Sequence, residues 1–273
     1  MVFYNTNLYY SVINCICLRN RSTHVFLTLL LVEAAQAAAF KNGRGPGGRP
    51  PHPLDLVIEA VFFRLRNSGP WRDLPTEFGP WQAIYGYYRL WAREGLWARM
   101  LRRVAKRKGS RGRLVDGTLI VAHQCAANPR GGAEAQAVGK TRGGRNTKLM
   151  AVTDVKGRPL NMKLIPGQAY EGAHVIELLK DEDAAVLLIG DKGFDSDKLR
   201  AALEALGHRH RIPGKSNRKK KVRYSKRYYR IRYRVEDSFR RLKRWACACT
   251  RRDKLALHFM SLPQFAAVTD WMQ

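Results

Sequence analysis

The sequence is poor in acidic residues and in cysteine, and it contains no long hydrophobic run. Its 273 residues include only 22 Asp and Glu against 50 Lys and Arg, a formal net charge of +28. Five cysteines, an odd number in a chain of this length, exclude a small secreted domain framed by disulfides. The apolar run at residues 25–32 is far shorter than the roughly 20 residues that cross a bilayer, so the sequence also excludes a multi-span membrane protein.

Hydrophobic residues make up 45 % of the chain, which is ordinary for a globular protein and excludes a wholly disordered one. The length suggests one large domain or two small ones. A net charge of +28 opposes folding through self-repulsion unless a polyanion offsets it. We therefore expect nucleic acid as the partner, ahead of an anionic membrane. The composition alone does not separate an enzyme from a passive nucleic-acid binder.

Composition shifts divide the chain into four parts, which are residues 1–40, 41–53, 54–112 and 113–273. Residues 1–40 imitate a secretory signal, but a chain that binds nucleic acid has no use for export. We expect this atypical segment to be a poorly ordered tail, or upstream DNA translated from an early start codon. Residues 41–53 hold four Gly and four Pro, which predicts a linker because neither a helix nor a central strand tolerates that composition.

The third part, residues 54–112, has helical periodicity. Apolar residues recur at helical spacing from Leu54 to Leu65, after Gly79-Pro80, and again from Leu96 to Val104. Three short helices can form a helix-turn-helix-like DNA-binding unit or a plain helical subdomain, and for the individual Trp and Tyr residues we favour an aromatic core. Residues 99–113 carry eight Arg or Lys and no acid, which is either a solvated face or a strip of phosphate contacts.

Beyond residue 112 the pattern changes to that of an α/β or mixed-sheet domain, in which short apolar runs alternate with helical segments. The predicted strands are 113–122, 148–155, 159–165, 186–190 and 208–212. The predicted helices are 172–180, 196–206, 228–246 and 255–271. Residues 123–146 are rich in Gly, Ala and Arg, so we expect a long flexible loop there.

Three carboxylates stand out by position in this last part. Asp116 lies inside the first predicted strand, where an acid is costly to bury unless a cation neutralises it. Asp191 ends a buried strand, and ligands of α/β sheets gather at the carboxyl ends of strands. Glu236 lies on a basic helix, where its spacing from Tyr229, Arg232 and Lys243 puts all four on one face, directed toward the sheet edge.

Oxygen ligands of this type suit Mg²⁺ or Mn²⁺. Two such ions can activate a water or a 3′-hydroxyl and stabilise the leaving oxygen of a phosphodiester. Each acid alone also has a plain structural explanation, since Asp116 can cap a turn, Asp191 a helix, and Glu236 can pair with Arg232. The three together in this order favour a metal site.

Residues 198–254 form a basic strip that carries 22 Lys or Arg and four acids, a net charge of +18. We expect this strip to contact phosphates without reading bases. The DNA-binding residues predicted here are Tyr229, Arg232, Lys243, Arg240, Arg244, Lys219, Lys220 and Lys221.

These motifs resemble a known family. The run Tyr229-x2-Arg232-x3-Glu236-x6-Lys243 is similar to the Y-R-E-K signature of DDE transposases from bacterial insertion sequences, and closest to the insertion-sequence-five family. Val115-Asp116-Gly117-Thr118 resembles the first-acid motif, and the segment from Ile189 to Ser196 resembles the second. Further similarity lies at Ala122-His123-Gln124, at Pro166-Gly167-Gln168, at residues 139–144, and at residues 70–75 and 78–81.

The resemblance covers about residues 48–273 and implies an RNase H-like mixed sheet flanked by helices, preceded by a small helical domain. It implies that Asp116, Asp191 and Glu236 bind two Mg²⁺ or Mn²⁺ ions, and that the protein cuts DNA at the ends of an element and transfers the strands to a target. The partners implied are double-stranded DNA and further copies of the chain on that DNA, with no membrane, in the cytoplasm at the nucleoid. Residues 1–40 do not look like the helical segment that family members place ahead of Gly48-Arg49-Pro50-Pro51.

Two other functions fit the same motifs. One is an RNase H-like nuclease that cuts without strand transfer, which a joining assay separates from a transposase. The other is a non-catalytic basic nucleic-acid binder, which predicts that Asp116, Asp191 and Glu236 do not converge.

Overall fold

A computed structural model describes residues 52–106, 111–182, 185–218, 221–222 and 224–271. The predictions for residues 1–40, and for most of the linker at 41–53, lie outside these residues. The chain forms two compact units. Of the described residues, the first unit takes those up to Arg64 together with Gly69–Leu96, and the second takes Leu65–Ser68 and Trp97–Trp271. The boundary predicted at residue 112 stays a prediction.

The first unit is helical, as its periodicity predicts. Helix α1 spans Leu54–Asn67 and enters the second unit at its end, and helix α2 spans Trp81–Arg93. Two short 3-10 turns, Trp71–Asp73 and Thr76–Phe78, connect them. The aromatic rings form a core: the ring of Trp71 lies 4.7 Å from that of Tyr88, and Tyr88 and Trp91 are fully buried. The prediction of an aromatic core is therefore confirmed for Tyr88 and Trp91, while Trp81 and Tyr85 are half-buried.

The second unit is built on one mixed sheet. Helix α3, Leu96–Lys106, leads into it, and its Trp97 stacks on Phe265 with ring centroids 4.0 Å apart. The strands are β1 Gly112–Ala122, β2 Gly139–Thr141, β3 Gly144–Thr153, β4 Pro159–Pro166, β5 Leu187–Ile189, β6 Arg209–Arg211 and β7 Thr250–Arg251. The helices between and after them are α4 Gln124–Ala127, α5 Val175–Leu178, α6 Asp197–Ala205, α7 Lys226–Tyr229, α8 Tyr233–Leu242, α9 Ala246–Cys249 and α10 Ala256–Asp270.

The strand order is that of an RNase H-like sheet, β4-β3-β1-β5-β6. The first three strands form an antiparallel meander, and β1, β5 and β6 run parallel to one another. The short strand β2 pairs with the start of β3, and β7 pairs with the end of β1. The long central strand β1 is therefore common to the antiparallel and the parallel halves, which confirms the predicted fold class.

Helices cover both faces of the sheet. Val115, Met150 and Val152 pack with α5 and α6 in one buried cluster. Because side chains alternate along a strand, Leu114 and Asp116 point to the opposite face. That face is covered by α8, which packs against β1 and β3, and by α10, which packs against β4. Among the described helices, none combines the length and the apolar composition that a membrane crossing needs.

The segment at residues 123–146 differs from the predicted flexible loop, since it contains helix α4 and strand β2. Neither element has a strong local sequence pattern. His123 accepts a hydrogen bond from the backbone N–H of Cys125 and so caps α4, while the register of β2 is set by β3. The predicted helix at 228–246 is likewise broken into α7, a 3-10 turn at Arg230–Arg232, and α8.

A buried carboxylate, Asp195, ties the loop that follows β6 to the sheet. It accepts hydrogen bonds from Arg200 at 2.8 Å, from Arg218 at 3.2 Å, and from the backbone N–H of Lys215 at 2.7 Å. Only 3 % of its side chain is exposed. Asp197 also pairs with Arg218, but 82 % of its side chain is exposed.

Replacing Asp195 with Asn should therefore destabilise the protein far more than replacing Asp197 with Asn. The first change leaves the buried Arg200 guanidinium without its counter-charge, which costs about 3–5 kcal/mol. The second removes an exposed ion pair worth about 1 kcal/mol or less. Urea unfolding followed by tryptophan fluorescence measures both, and equal unfolding midpoints for the two variants would contradict this role of Asp195.

Candidate active site

Asp116 lies near the middle of β1 on the face that α8 covers. Its side chain is 18 % exposed. One carboxylate oxygen accepts a hydrogen bond from the backbone N–H of Gly117 at 2.8 Å. The other accepts one from Arg232 Nη1 at 3.1 Å. Asp116 is therefore an acid held in the sheet by one backbone donor and one cation.

Asp191 follows β5, the parallel neighbour of β1. Leu114 is paired with Ile189, so each acid comes two residues after a paired position. Adjacent strands lie about 4.8 Å apart, so this register brings the two acids to the same level of the sheet. Asp191 is half-buried, and its side chain accepts a hydrogen bond from the backbone N–H of Gly193 at 2.7 Å. The prediction that it caps a short helical turn is confirmed, and this role leaves its second oxygen available for a ligand.

The segment from α7 to α8 brings the other predicted residues over β1. Arg232 bridges two acids, since it donates to Asp116 and also to Glu236 one helical turn away. Its guanidinium carbon lies 6.0 Å from the centre of the Tyr229 ring. Lys243 donates to Thr118 Oγ1 at 2.7 Å. Arg232 and Lys243 therefore contact the central strand and not the sheet edge, and the Glu236 side chain is 47 % exposed, which differs from the predicted orientation.

The electrostatics of the site follow from this crowding of acids. Burial raises the pKa of Asp116 to about 6; Gly117 N–H and Arg232 oppose the rise, and the negative charges of Asp191 and Glu171 add to it. Burial also raises the pKa of Tyr229, and the charge of Asp191 adds to that rise. The charge of Asp191 therefore acts on both Asp116 and Tyr229, the residues that Arg232 also approaches.

A fourth acid, Glu171, lies near Asp116, and its place in the sequence does not mark it as a site residue. It pairs with Lys148 at 2.9 Å, and Lys148 also donates to the carbonyl of Ala169 at 3.0 Å. A Cβ added at Gly117 would lie 2.8 Å from Glu171 Oε2, so Gly117 leaves the space that this pair occupies. The glycine directly after Asp116 was the available signal, but nothing in the sequence shows which side chain approaches it.

The remaining predicted DNA-binding residues lie apart from the acids. Arg240 is 74 % exposed and pairs with Asp237, and Arg244 and Lys221 are exposed. Lys219 and Lys220 lie outside the residues that the structure describes.

The donor set suits a hard divalent cation, because carboxylate oxygens are the ligands that Mg²⁺ and Mn²⁺ prefer. A cation does lie between Asp116 and Glu236, namely the Arg232 guanidinium. Within the described residues, no three Asp, Glu, His or Cys side chains are grouped closely enough to hold a metal ion. The convergence of all three predicted acids on one ion stays a prediction.

Comparison with known families agrees with this topology. Residues 107–266, more than half of the chain, match the family described as "Transposase DDE domain". The chain belongs to the DDE transposase family. Residues 32–101 match a second family, "Putative transposase of IS4/5 family". The resemblance to insertion-sequence transposases is thereby confirmed.

Two relatives match parts of this transposase. A "Putative transposase for insertion sequence element IS6501" from Brucella ovis is 30 % identical over 128 residues, which is 46 % of this chain and 98 % of the relative. "Uncharacterized protein y4sN" from Sinorhizobium fredii is 33 % identical over 92 residues, which is 33 % of this chain and 74 % of the relative.

Solved structures give more distant similarities. A piggyBac transposase synaptic complex with hairpin DNA is 11 % identical with a TM-score of 0.48, over 88 % of this chain and 70 % of that one. A pre-cleavage Mos1 transpososome is 14 % identical with a TM-score of 0.27, over 100 % of this chain and 97 % of that one.

The raised pKa of Asp116 predicts that this acid lowers stability at neutral pH. A carboxyl whose pKa is higher in the folded state binds protons more tightly there, so stability falls as pH rises from about 4 to about 6. Asp116→Asn should therefore be more stable than the wild type at pH 8, by at most about 3 kcal/mol. The gain should vanish below about pH 4, where both side chains are neutral.

Urea unfolding of the DNA-free protein at the two pH values measures this difference. Asp181→Asn, at an exposed position on the same unit, is the matched control and should show no such dependence. A variant that is less stable than the wild type at pH 8 would mean that the ion pair with Arg232 outweighs the cost of burial.

Proposed function

We propose that this transposase cuts DNA at the ends of an insertion element and transfers the strands to a target, with Asp116, Asp191 and Glu236 as the catalytic acids. The observation that carries the proposal is the bridge from Arg232 to Asp116 and Glu236, two acids 120 positions apart in sequence. The register of β1 and β5 adds Asp191 at the same level of the sheet. A non-catalytic binder gives no physical reason for acids to be brought together in a chain of net charge +28.

The three acids would hold divalent ions, Mg²⁺ or Mn²⁺, through their carboxylate oxygens. Such ions supply an activated attacking oxygen and stabilise the leaving oxygen of the phosphodiester. The protein's own contribution is to fix the acids: Asp116 through the backbone N–H of Gly117, and Asp191 through that of Gly193. These bonds hold one oxygen of each side chain in place, so that both acids are oriented before a substrate arrives.

Double-stranded DNA is the proposed partner, both as element ends and as target, and several copies of the chain would assemble on it. Exposed basic side chains lie on the same helical segment as Glu236, among them Lys243, Arg240 and Arg244. Lys243 lies near Thr118, two residues beyond Asp116 on β1, which puts a positive charge where a scissile phosphate next to that acid would lie. Its exposure leaves it free to exchange Thr118 for a phosphate oxygen.

Substitution of each acid by its amide tests the catalytic proposal. Asp116→Asn, Asp191→Asn and Glu236→Gln should each lower cleavage of element-end DNA in Mg²⁺ by on the order of 10³-fold or more, because the three acids act as a unit. Binding to the same DNA in gel-shift assays should remain close to that of the wild type, since binding rests on Lys and Arg.

Asp237→Asn is the matched control for Glu236, because it removes a neighbouring acid that pairs with Arg240 and contacts none of the three. Cleavage that proceeds in any of the three variants at the unmodified rate removes that residue from the catalytic set. A strand-joining assay on the same samples separates a transposase from a nuclease that only cuts.

The salt dependence of binding tests the basic strip. Each phosphate neutralised by Lys or Arg contributes a slope of roughly −0.9 to the plot of log affinity against log salt concentration. We expect Lys243→Ala to weaken DNA binding and to make this slope shallower by about one phosphate. Fluorescence anisotropy with labelled duplex DNA between low and moderate salt measures both. A wild-type slope near zero would show that the strip does not contact DNA.

A further inference from the structure

Arg232 lies between two of the proposed metal ligands, Asp116 and Glu236. Its Nη1 bonds to one oxygen of Asp116 at 3.1 Å, and its Nη2 bonds to Oε1 of Glu236. The guanidinium is held in place by more than these bonds, since its side chain is only 20 % exposed and it lies against the Tyr229 ring. In the DNA-free protein, two of the three proposed metal ligands are therefore bound to the Arg232 guanidinium.

The pair with Glu236 alone would be an ordinary contact between residues one helical turn apart. The second bond is different, because it joins the helical segment to β1, 116 residues away in sequence. Arg232 is the last residue of the short 3-10 helix Arg230–Arg232 between α7 and α8. Its bond to Asp116 is a tertiary contact and does not follow from helical spacing.

The other cations near the acids have different partners. Lys148 bonds to Glu171 and to the carbonyl of Ala169. Lys243 bonds to Thr118 and lies 3.4 Å from the carbonyl oxygen of Leu119. Among the described hydrogen bonds and ion pairs, Arg232 is the cation that reaches both Asp116 and Glu236.

A divalent ion bound between Asp116 and Glu236 would compete with this guanidinium for the same space. A metal ion binds carboxylate oxygens at about 2.1 Å, and the guanidinium already donates to one oxygen of each acid. Two cations that share one carboxylate also repel each other in a partly buried site. An ion that binds between the two acids is therefore expected to displace Arg232 from at least one of them.

DNA offers Arg232 an alternative partner. Guanidinium groups form strong charge-assisted bonds with phosphate oxygens, and the forked geometry suits phosphate as well as carboxylate. A phosphate beside the acids would stabilise a side-chain position directed away from Asp116. The DNA phosphate and the divalent ion would both favour the state in which Arg232 is directed away from Asp116. Each ligand would therefore increase the affinity of the protein for the other by the same factor.

We propose that Arg232 is a built-in competitor of the catalytic cation, which keeps the site closed to divalent metal until a DNA phosphate draws the guanidinium away. The inference rests on the proposed metal site of Asp116, Asp191 and Glu236. It goes beyond that site because it assigns Arg232 two exclusive partners and makes metal binding depend on DNA. The consequence is a protein that binds catalytic metal weakly when it is free of DNA.

The direct test is the affinity of the DNA-free protein for Mn²⁺, measured by electron paramagnetic resonance of free Mn²⁺ and by calorimetry. Arg232→Gln should bind Mn²⁺ about tenfold or more tightly than the wild type, within the usual range of couplings between sites. Arg230→Gln is the matched control, because Arg230 is an exposed residue of the same 3-10 turn and its substitution removes the same charge. It should change the affinity much less.

Two further variants keep the test decisive. Arg232→Lys keeps the positive charge, so its Mn²⁺ affinity should stay nearly as low as that of the wild type. Thermal unfolding of each variant shows whether a change in Mn²⁺ affinity reflects competition or a loss of folding. Arg232→Gln combined with Asp116→Asn should lose the gained affinity, since the new binding depends on the acid that Arg232 releases. Equal Mn²⁺ affinity in the wild type and Arg232→Gln would overturn the inference.

A DNA arm separates this inference from the proposed function. In the presence of duplex DNA the wild type should bind Mn²⁺ more tightly at the protein site. DNA itself also binds Mn²⁺, so the binding measured for the Asp116→Asn complex with the same DNA is subtracted as background. Metal binding that depends on Asp116 but is unaffected by Arg232 overturns the inference and leaves the proposed function intact. Metal binding that is unaffected by Asp116 in every state rejects the proposed function.

Discussion

The arrangement of the candidate active site depends on one constraint, which is the partial burial of the carboxylate Asp116 in the central strand of the second unit. Burial disfavours the charged form, which raises the pKa of this acid to about 6. The acid is kept in place by the backbone N–H of Gly117 and by the Arg232 guanidinium. Because the Asp116 side chain points to one face of the sheet, this guanidinium has to belong to an element that packs on the same face. Helix α8 and the turn before it satisfy this requirement. The same contact that compensates for the buried charge therefore fixes the helix that carries Glu236.

Two acids four residues apart, Asp191 and Asp195, show how the surroundings separate a site residue from a structural one. Asp195 is buried and satisfied by Arg200, Arg218 and a backbone N–H, so its oxygens have no capacity left for a ligand. Asp191 is half-buried and accepts one backbone N–H on one oxygen. Their sequence positions alone do not distinguish them. The difference follows from the loop after β6, which closes over the second acid and not over the first.

Much of this architecture is predictable from the sequence, because it depends on local periodicity. The apolar runs predict β1, β3, β4, β5 and β6, and helical spacing predicts α6 and α10 to within a few residues. Contacts between distant segments are not predictable in this way. The strand β2 exists because β3 pairs with it, and the approach of Glu171 to Gly117 depends on the path of the chain after β4. The spacing of Arg232 and Glu236 predicts their ion pair, but the bond from Arg232 to Asp116 requires the fold.

The distribution of ion pairs explains how a chain of net charge +28 forms a compact unit. Several partly buried acids are matched to arginine in the second unit: Glu182 with Arg113, Asp154 with Arg158, Asp195 with Arg200 and Asp270 with Arg241. These pairs neutralise charge inside the fold, where an unpaired charge would be costly. Most of the other Lys and Arg side chains among the described residues lie on exposed positions, where like charges repel one another; Arg251 is an exception, since it is fully buried and donates to carbonyl oxygens. A polyanion that binds there relieves this repulsion and so stabilises the folded state by mass action. DNA would then have two effects on this protein. It would neutralise the positive charge of the surface, and its phosphates would compete with Asp116 and Glu236 for the Arg232 guanidinium.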